Sequence, residues 1–339
     1  MARIFRDEDY RPRPNRKGSR PRTKNRPSHD SAALGLVTAV DRGRYRIVLA
    51  DDAGAFPEDG RAVTAVRASH LRRQAVVPGD IVKVVGDTSG DEGTLARLVE
   101  ITPRRTLLRR SADDTDPTER VIVANVDIMG IVTATVDPEP SYGLIDRALA
   151  AAIDAGITPL IVVTKTDLAP AEDIERRFSM ADVDIVSSGL RDDGTLSDDA
   201  VAGRLADHIS VLVGHSGVGK STLTNALVPA ADRATGHVND VTGRGRHTSS
   251  SAVCLPLTTG GWLIDTPGVR SFGLAHVDRD GLIAAFPELT EATTECPRGC
   301  THLADAPGCR LDSWVAEGRA GPGGVSRLES LRRLLSNAG

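Results

Sequence analysis

From about Ala32 the apolar positions fall into short alternating runs: Leu34–Val40, Tyr45–Leu49, Val63–Val66, Ile81–Val85 and Leu95–Ile101. Turn signals separate them at Asp41-Arg42-Gly43, Pro57-Glu58-Asp59-Gly60, Pro78-Gly79-Asp80 and Ser89-Gly90-Asp91. A period of two marks half-buried strands, and five in close succession predict a small barrel such as the OB-fold. Residues 103–120 read as a polar linker rich in Arg, Asp and Thr. Beyond it strands and helices alternate. Val121–Ala124, Ile128–Thr133, Thr158–Val163, Val183–Val186, Ile209–Val213, Ala252–Leu257 and Trp262–Ile264 read as strands. Tyr142–Ala155, Ala171–Phe178 and Asp198–Ala206 read as helices, and a further helical pattern runs through Leu223 and Leu227. This alternation predicts a largely parallel sheet with helices on both faces, whose ligand-binding loops gather at the carboxyl ends of the strands. Short helices are expected at Arg279–Phe286, Asp312–Gly318 and Val325–Leu335.

Residues 1–31 have almost no apolar surface to bury and are expected to be disordered when unbound. The predicted organisation is multidomain: a basic arm at 1–31, a β-barrel at 32–102, an α/β domain at 103–274 and a helical segment at 275–339. No long heptad pattern suggests self-association, so a monomer is expected.

Charge changes the picture of the arm. Residues 1–28 hold ten of the 42 Lys/Arg but only three of the 46 Asp/Glu, so they carry +7 and the remainder −11. A basic arm on an acidic body points to a polyanion partner. In the barrel, Tyr45 and Phe56 are the candidates for stacking on bases. Backbone and shape contacts through Arg61, Arg67, Arg72 and Arg73 are the favoured mode, and a barrel without nucleic acid is the alternative. No apolar stretch is long enough to span a membrane, and Met1-Ala2-Arg3 leads into charge, so a cytosolic protein is expected.

The chemistry centres on Gly214-His215-Ser216-Gly217-Val218-Gly219-Lys220-Ser221, between an apolar strand and a helical pattern. This G-x-x-x-x-G-K-S string in that context is a nucleotide phosphate loop, whose N–H groups, extended to Thr222, cradle phosphate oxygens. Lys220 adds charge at the outer phosphates, and the Ser221 hydroxyl suits Mg²⁺.

Thr164-Lys165-Thr166-Asp167 closes the buried strand before it and is similar to the guanine-recognition motif of GTPases. Asp167 can accept from guanine N1–H and the exocyclic amine, whereas adenine presents the opposite pattern at N1. The stem of Lys165 can lie across the base. Thr164 stands where Asn is commoner, which leaves one steadying hydrogen bond open. Ser187-Ser188-Gly189 resembles the loop that supports the base through backbone N–H. Asp265-Thr266-Pro267-Gly268 looks like the D-x-x-G motif, with Asp265 toward Mg²⁺ and Gly268 toward the γ-phosphate. Gly243–Thr248 is glycine- and arginine-rich and reads as a switch loop, with Thr248 as second Mg²⁺ ligand and Ser249 as the alternative. Val269 cannot orient water as a glutamine does. The base motif precedes the phosphate loop, the reverse of the ordinary GTPase order. A circular permutation can keep such a pocket intact, because every contact comes from one sheet edge.

Cys296, Cys300, His302 and Cys309 give C-x₃-C-x-H-x₆-C, a closed tetrahedral donor set expected to hold one structural Zn²⁺. Cys254, inside a strand, reads as a buried apolar residue.

Together, the OB-like barrel, the GTPase with base motif before phosphate loop, and the Cys-Cys-His-Cys knuckle resemble the ribosome small-subunit-dependent GTPase A (RsgA-type) family over about residues 32–320. The resemblance implies a GTPase that binds the small (30S) ribosomal subunit and its 16S rRNA late in maturation and leaves on GTP hydrolysis. It also implies that His247 serves catalysis, beside Lys220, whose charge is expected to stabilise the transferring phosphoryl group. Two rival readings remain at this level: a metabolic P-loop kinase or ATPase, and a non-enzymatic RNA-binding module.

Overall fold

A computed structural model describes residues 29, 31–110, 120–228, 252–266, 274 and 277–337. The alternating runs form β1 (Ala33–Asp41), β2 (Arg44–Leu49), β3 (Ala62–Arg67), β4 (Ile81–Gly86) and β5 (Ala96–Ile101). Their order is β1-β2-β3-β5-β4, and β4 returns to β1, so the barrel closes on itself. Val37, Tyr45, Ile47, Val63, Ala65, Val82, Val84 and Leu98 fill its interior. Tyr45 is only 3% exposed, which removes it as a base-stacking candidate: its ring is spent on the barrel core. At the foot of the barrel Arg104 forms a two-point ion pair with the fully buried Asp80, at 2.6 and 2.8 Å.

The segment expected to be a plain polar linker contains a strand. β6 (Leu107–Arg110) pairs antiparallel with β7 (Arg120–Ala124), and Leu108 and Val123 turn into the core. Two leucines among polar residues are too short a pattern to announce a strand, which forms because β7 offers it an edge.

Next come β8 (Ile128–Ala134), α1 (Tyr142–Asp154), β9 (Thr158–Thr164), α2 (Glu172–Phe178), β10 (Asp184–Ser187), α3 (Asp199–Leu205), β11 (His208–Gly214), α4 (Lys220–Leu227), β12 (Val253–Pro256) and β13 (Gly261–Asp265). The order β10-β9-β8-β11-β13 is parallel throughout, and β12 adds antiparallel at the edge. The strands are apolar at odd and even positions alike, as a sheet covered on both faces requires. Met129, Ile131, Ile161, Val211 and Val213 face α1 and α2. Val132, Leu160, Val162 and Leu212 face α3 and α4.

Barrel and sheet share a seam. Ala39 pairs with Val253, Trp262 Nε1 donates to the Phe56 carbonyl at 2.9 Å, and Asn125 Nδ2 donates to that of Gly79 at 2.8 Å. Cys254 is buried there with its thiol pushed up to about 12, the inert apolar residue that was expected.

Among the described residues four helices follow: α5 (Arg279–Ala284), α6 (Pro287–Thr294), α7 (Leu311–Ala316) and α8 (Gly324–Asn337). Helix α6 was not expected, although Pro287 at its first turn is a start signal. Leu282, Phe286, Leu289, Trp314, Leu328 and Leu331 make their common core. A buried ion cluster joins these helices to the sheet layer. Arg327 donates to Asp146 of α1 and Glu288 of α6, each at 2.5 Å, and Arg177 of α2 reaches the second Asp146 oxygen at 3.2 Å.

Candidate nucleotide site and metal centre

All five parallel strands end at one edge, and their following loops carry the predicted site. The register sets Ala134, Thr164, Ser187 and Gly214 within a residue or two of one another across that edge, with Asp265 at the end of β13. The phosphate loop bends through positive φ at Gly214 (153°), Gly217 (84°) and Gly219 (86°). Gly214 also lies so close to the Val132 carbonyl that a Cβ would collide with it. Helix α4 begins at Lys220, so the first orphan N–H groups of the helix point at the place for phosphate. Ser221 and Thr222 lie exposed on that first turn. Lys220 Nζ donates to the carbonyls of Gly214 and His215, at 2.8 and 2.6 Å, and so sits over the loop. Burial raises the Asp265 carboxyl from its ordinary value, and the Lys220 ammonium opposes that rise.

Thr164 supplies the steadying bond that its replacement of Asn left open. Its hydroxyl donates to the Val218 carbonyl at 2.7 Å, with the Thr133 carbonyl at 3.1 Å, so the base motif is tied directly to the phosphate loop. Lys165 has φ 57° and its ammonium is held by the Asp137 carbonyl. Asp167 is exposed at the rim, and its Oδ1 accepts from Leu190 N at 2.9 Å. Ser188 N–H is taken by the Val163 carbonyl at 2.7 Å, while its hydroxyl is buried and without a partner among the described residues.

At the far end of the chain Cys296, Cys300, His302 and Cys309 bring their ligand atoms within 4.8 Å of one another. Arg310 N donates to Cys296 Sγ at 3.3 Å and His302 N to Cys300 Sγ at 3.4 Å. Backbone donors on sulfur suit thiolates, and three sulfurs with one imbedded imidazole nitrogen are the donor set of a closed zinc centre. The residues fit such a metal.

A family model described as RsgA GTPase matches residues 101–275. The chain is 39% identical over 282 residues to the small ribosomal subunit biogenesis GTPase RsgA of Pseudomonas aeruginosa, covering 80% of this chain and 79% of that one. It is 36% identical over 316 residues to the protein of the same name from Paraburkholderia xenovorans, covering 89% and 93%. The chain belongs to the RsgA GTPase family. Its fold is also that of the crystal structure of YjeQ from Thermotoga maritima, with a TM-score of 0.69 at 24% identity over 90% of this chain and 98% of that one. YloQ, a circularly permuted GTPase, aligns with a TM-score of 0.63 at 23% identity over 91% and 97%. The permuted order read from the motifs therefore agrees with that description of YloQ.

In this RsgA-family chain the edge gathers Thr164 to Asp167, Ser187, Ser188, Gly214 to Thr222 and Asp265. The expected roles of His247, Thr248, Ser249, Gly268 and Val269 lie outside the described residues, as do residues 1–28 of the basic arm. Two contributors were overlooked. Thr135 Oγ1 donates to the Lys165 carbonyl at 2.8 Å, and Pro138 lies against Gly217. The loop after β8 carries no motif, and only its place at the carboxyl edge of the sheet could have flagged it.

Proposed function

We propose that this chain is a GTP hydrolase of small ribosomal subunit biogenesis, binding guanine and phosphates at one sheet edge. The hydroxyl of Thr164 on the Val218 carbonyl carries the reading, because it joins the base-reading and phosphate-holding loops into one site. Asp167 accepts from the base, Lys165 lies along it, and Ser187 and Ser188 support it. The loop from Gly214 to Thr222 cradles the phosphates together with Gly268, and Lys220 offsets charge on the transferring phosphoryl group. Ser221, Thr248 and Asp265 would hold Mg²⁺, which supplies charge neutralisation when bound. His247 would position the attacking water. Cys296, Cys300, His302 and Cys309 would hold one structural Zn²⁺.

The names of the relatives support the small (30S) ribosomal subunit as the partner, with 16S rRNA reached through exposed arginines of the barrel and released after hydrolysis. Such a factor acts in the cytoplasm as a monomer. Among the described residues no helix is long and apolar enough to cross a membrane. A kinase or ATPase is disfavoured by Asp167. A purely RNA-binding module is disfavoured by a complete phosphate loop.

GTP turnover measured with and without purified small ribosomal subunits tests the reading. Acceleration by the subunits is expected. Equal rates in both would remove the ribosomal role and spare the GTPase.

A further inference from the structure

The loop after β10 passes closer to the base-reading carboxylate than any side chain at position 189 would permit. A Cβ on Gly189 would stand 2.6 Å from Thr166 Oγ1, 2.8 Å from Asp167 N and 2.9 Å from Asp167 Oδ1. The backbone nitrogen cannot yield without moving the loop that follows β9. Gly189 does not lie in the left-handed region, so clearance, and not φ, accounts for glycine here. This approach makes a bond: Leu190 N–H reaches Asp167 Oδ1 at 2.9 Å. The loop is held on its other side by Ser197 N on the Gly189 carbonyl and Arg191 N on that of Thr195, each at 2.8 Å. It therefore has little freedom to retreat and keep that bond.

We infer that Gly189 is a specificity-determining position for the nucleotide base: its missing side chain lets the Leu190 N–H fix the Asp167 carboxylate toward the amine edge of guanine. The inference rests on the guanine reading of the pocket. Gly189 touches no nucleotide through a side chain and acts by positioning Asp167. A group so fixed discriminates more sharply than one that must be ordered on binding, because no rotamer freedom is lost in forming the contact.

The test titrates GTP, inosine triphosphate and ATP into the full-length protein with Mg²⁺. Inosine triphosphate lacks only the 2-amino group that Asp167 reads. The wild type is expected to prefer GTP over it by about tenfold or more, the worth of a hydrogen bond to a charged acceptor. In Gly189→Ala that ratio should shrink to about threefold or less, with the greater loss on GTP. Leu190→Pro, which deletes the donor, should behave likewise. Leu190→Ala should keep the wild-type ratio, since the residue is 53% exposed and its N–H remains. A wild-type ratio in both Gly189→Ala and Leu190→Pro would overturn the inference alone. Equal wild-type affinity for GTP and ATP would overturn the guanine reading with it.

Discussion

The ion cluster around Arg327 offers a sharp test of what holds the C-terminal helices to the sheet layer. The Arg327 side chain is 1% exposed, Asp146 0% and Glu288 2%, so three charged groups meet almost without water. Arg327 also lies over the Phe286 ring, 4.1 Å from its centroid. Arg327→Met keeps most of the aliphatic volume and deletes the charge. Asp146 retains Arg177 at 3.2 Å, but Glu288 loses the guanidinium that meets both its oxygens. Breaking such a buried pair from one side costs about 3–5 kcal/mol. Replacing both partners with apolar side chains is often near neutral, so Arg327→Met with Glu288→Leu should recover most of the loss. Chemical denaturation followed by Trp314 fluorescence reads this locally, because its indole N–H donates to the Glu288 carbonyl at 3.0 Å. Trp262→Phe silences the other of the two tryptophans. The single variant should lose its C-terminal signal at lower denaturant while still binding GTP. A wild-type midpoint for Arg327→Met, or a double variant weaker than the single, would refute the uncompensated-charge argument.

Three further outcomes follow from the site. Lys220→Ala should lower GTP turnover by about 10²-fold or more, since it removes the charge proposed to meet the transferring phosphoryl group; single-turnover hydrolysis checks this. Asp167→Asn should shift preference toward xanthosine triphosphate, whose carbonyl at the amine position accepts from an amide, and competition binding would show it. Cys309→Ser should reduce bound zinc from one per chain to none and loosen the knuckle, while nucleotide affinity stays within about twofold because the phosphate loop draws nothing from it; elemental analysis with a nucleotide titration measures both.

Much of this protein was legible from residues close together in the chain. The five barrel runs, the glycines of the phosphate loop, the Thr164–Asp167 string and the Cys-Cys-His-Cys spacing each encode a structure completed within a few residues, so spacing alone reveals them. The parallel sheet followed from the alternation of strand and helix patterns along the chain. What the chain order hid was pairing at a distance. β6 owes its existence to β7, and the barrel–sheet seam joins Ala39 to Val253. Arg327 meets a carboxylate 181 positions earlier, and Thr164 finds its acceptor 54 positions on. Gly189 matters only because another loop lies against it. Such contacts leave no periodic trace, because a single buried side chain satisfies them; only the folded backbone decides which carboxylate, carbonyl or strand edge arrives to meet it.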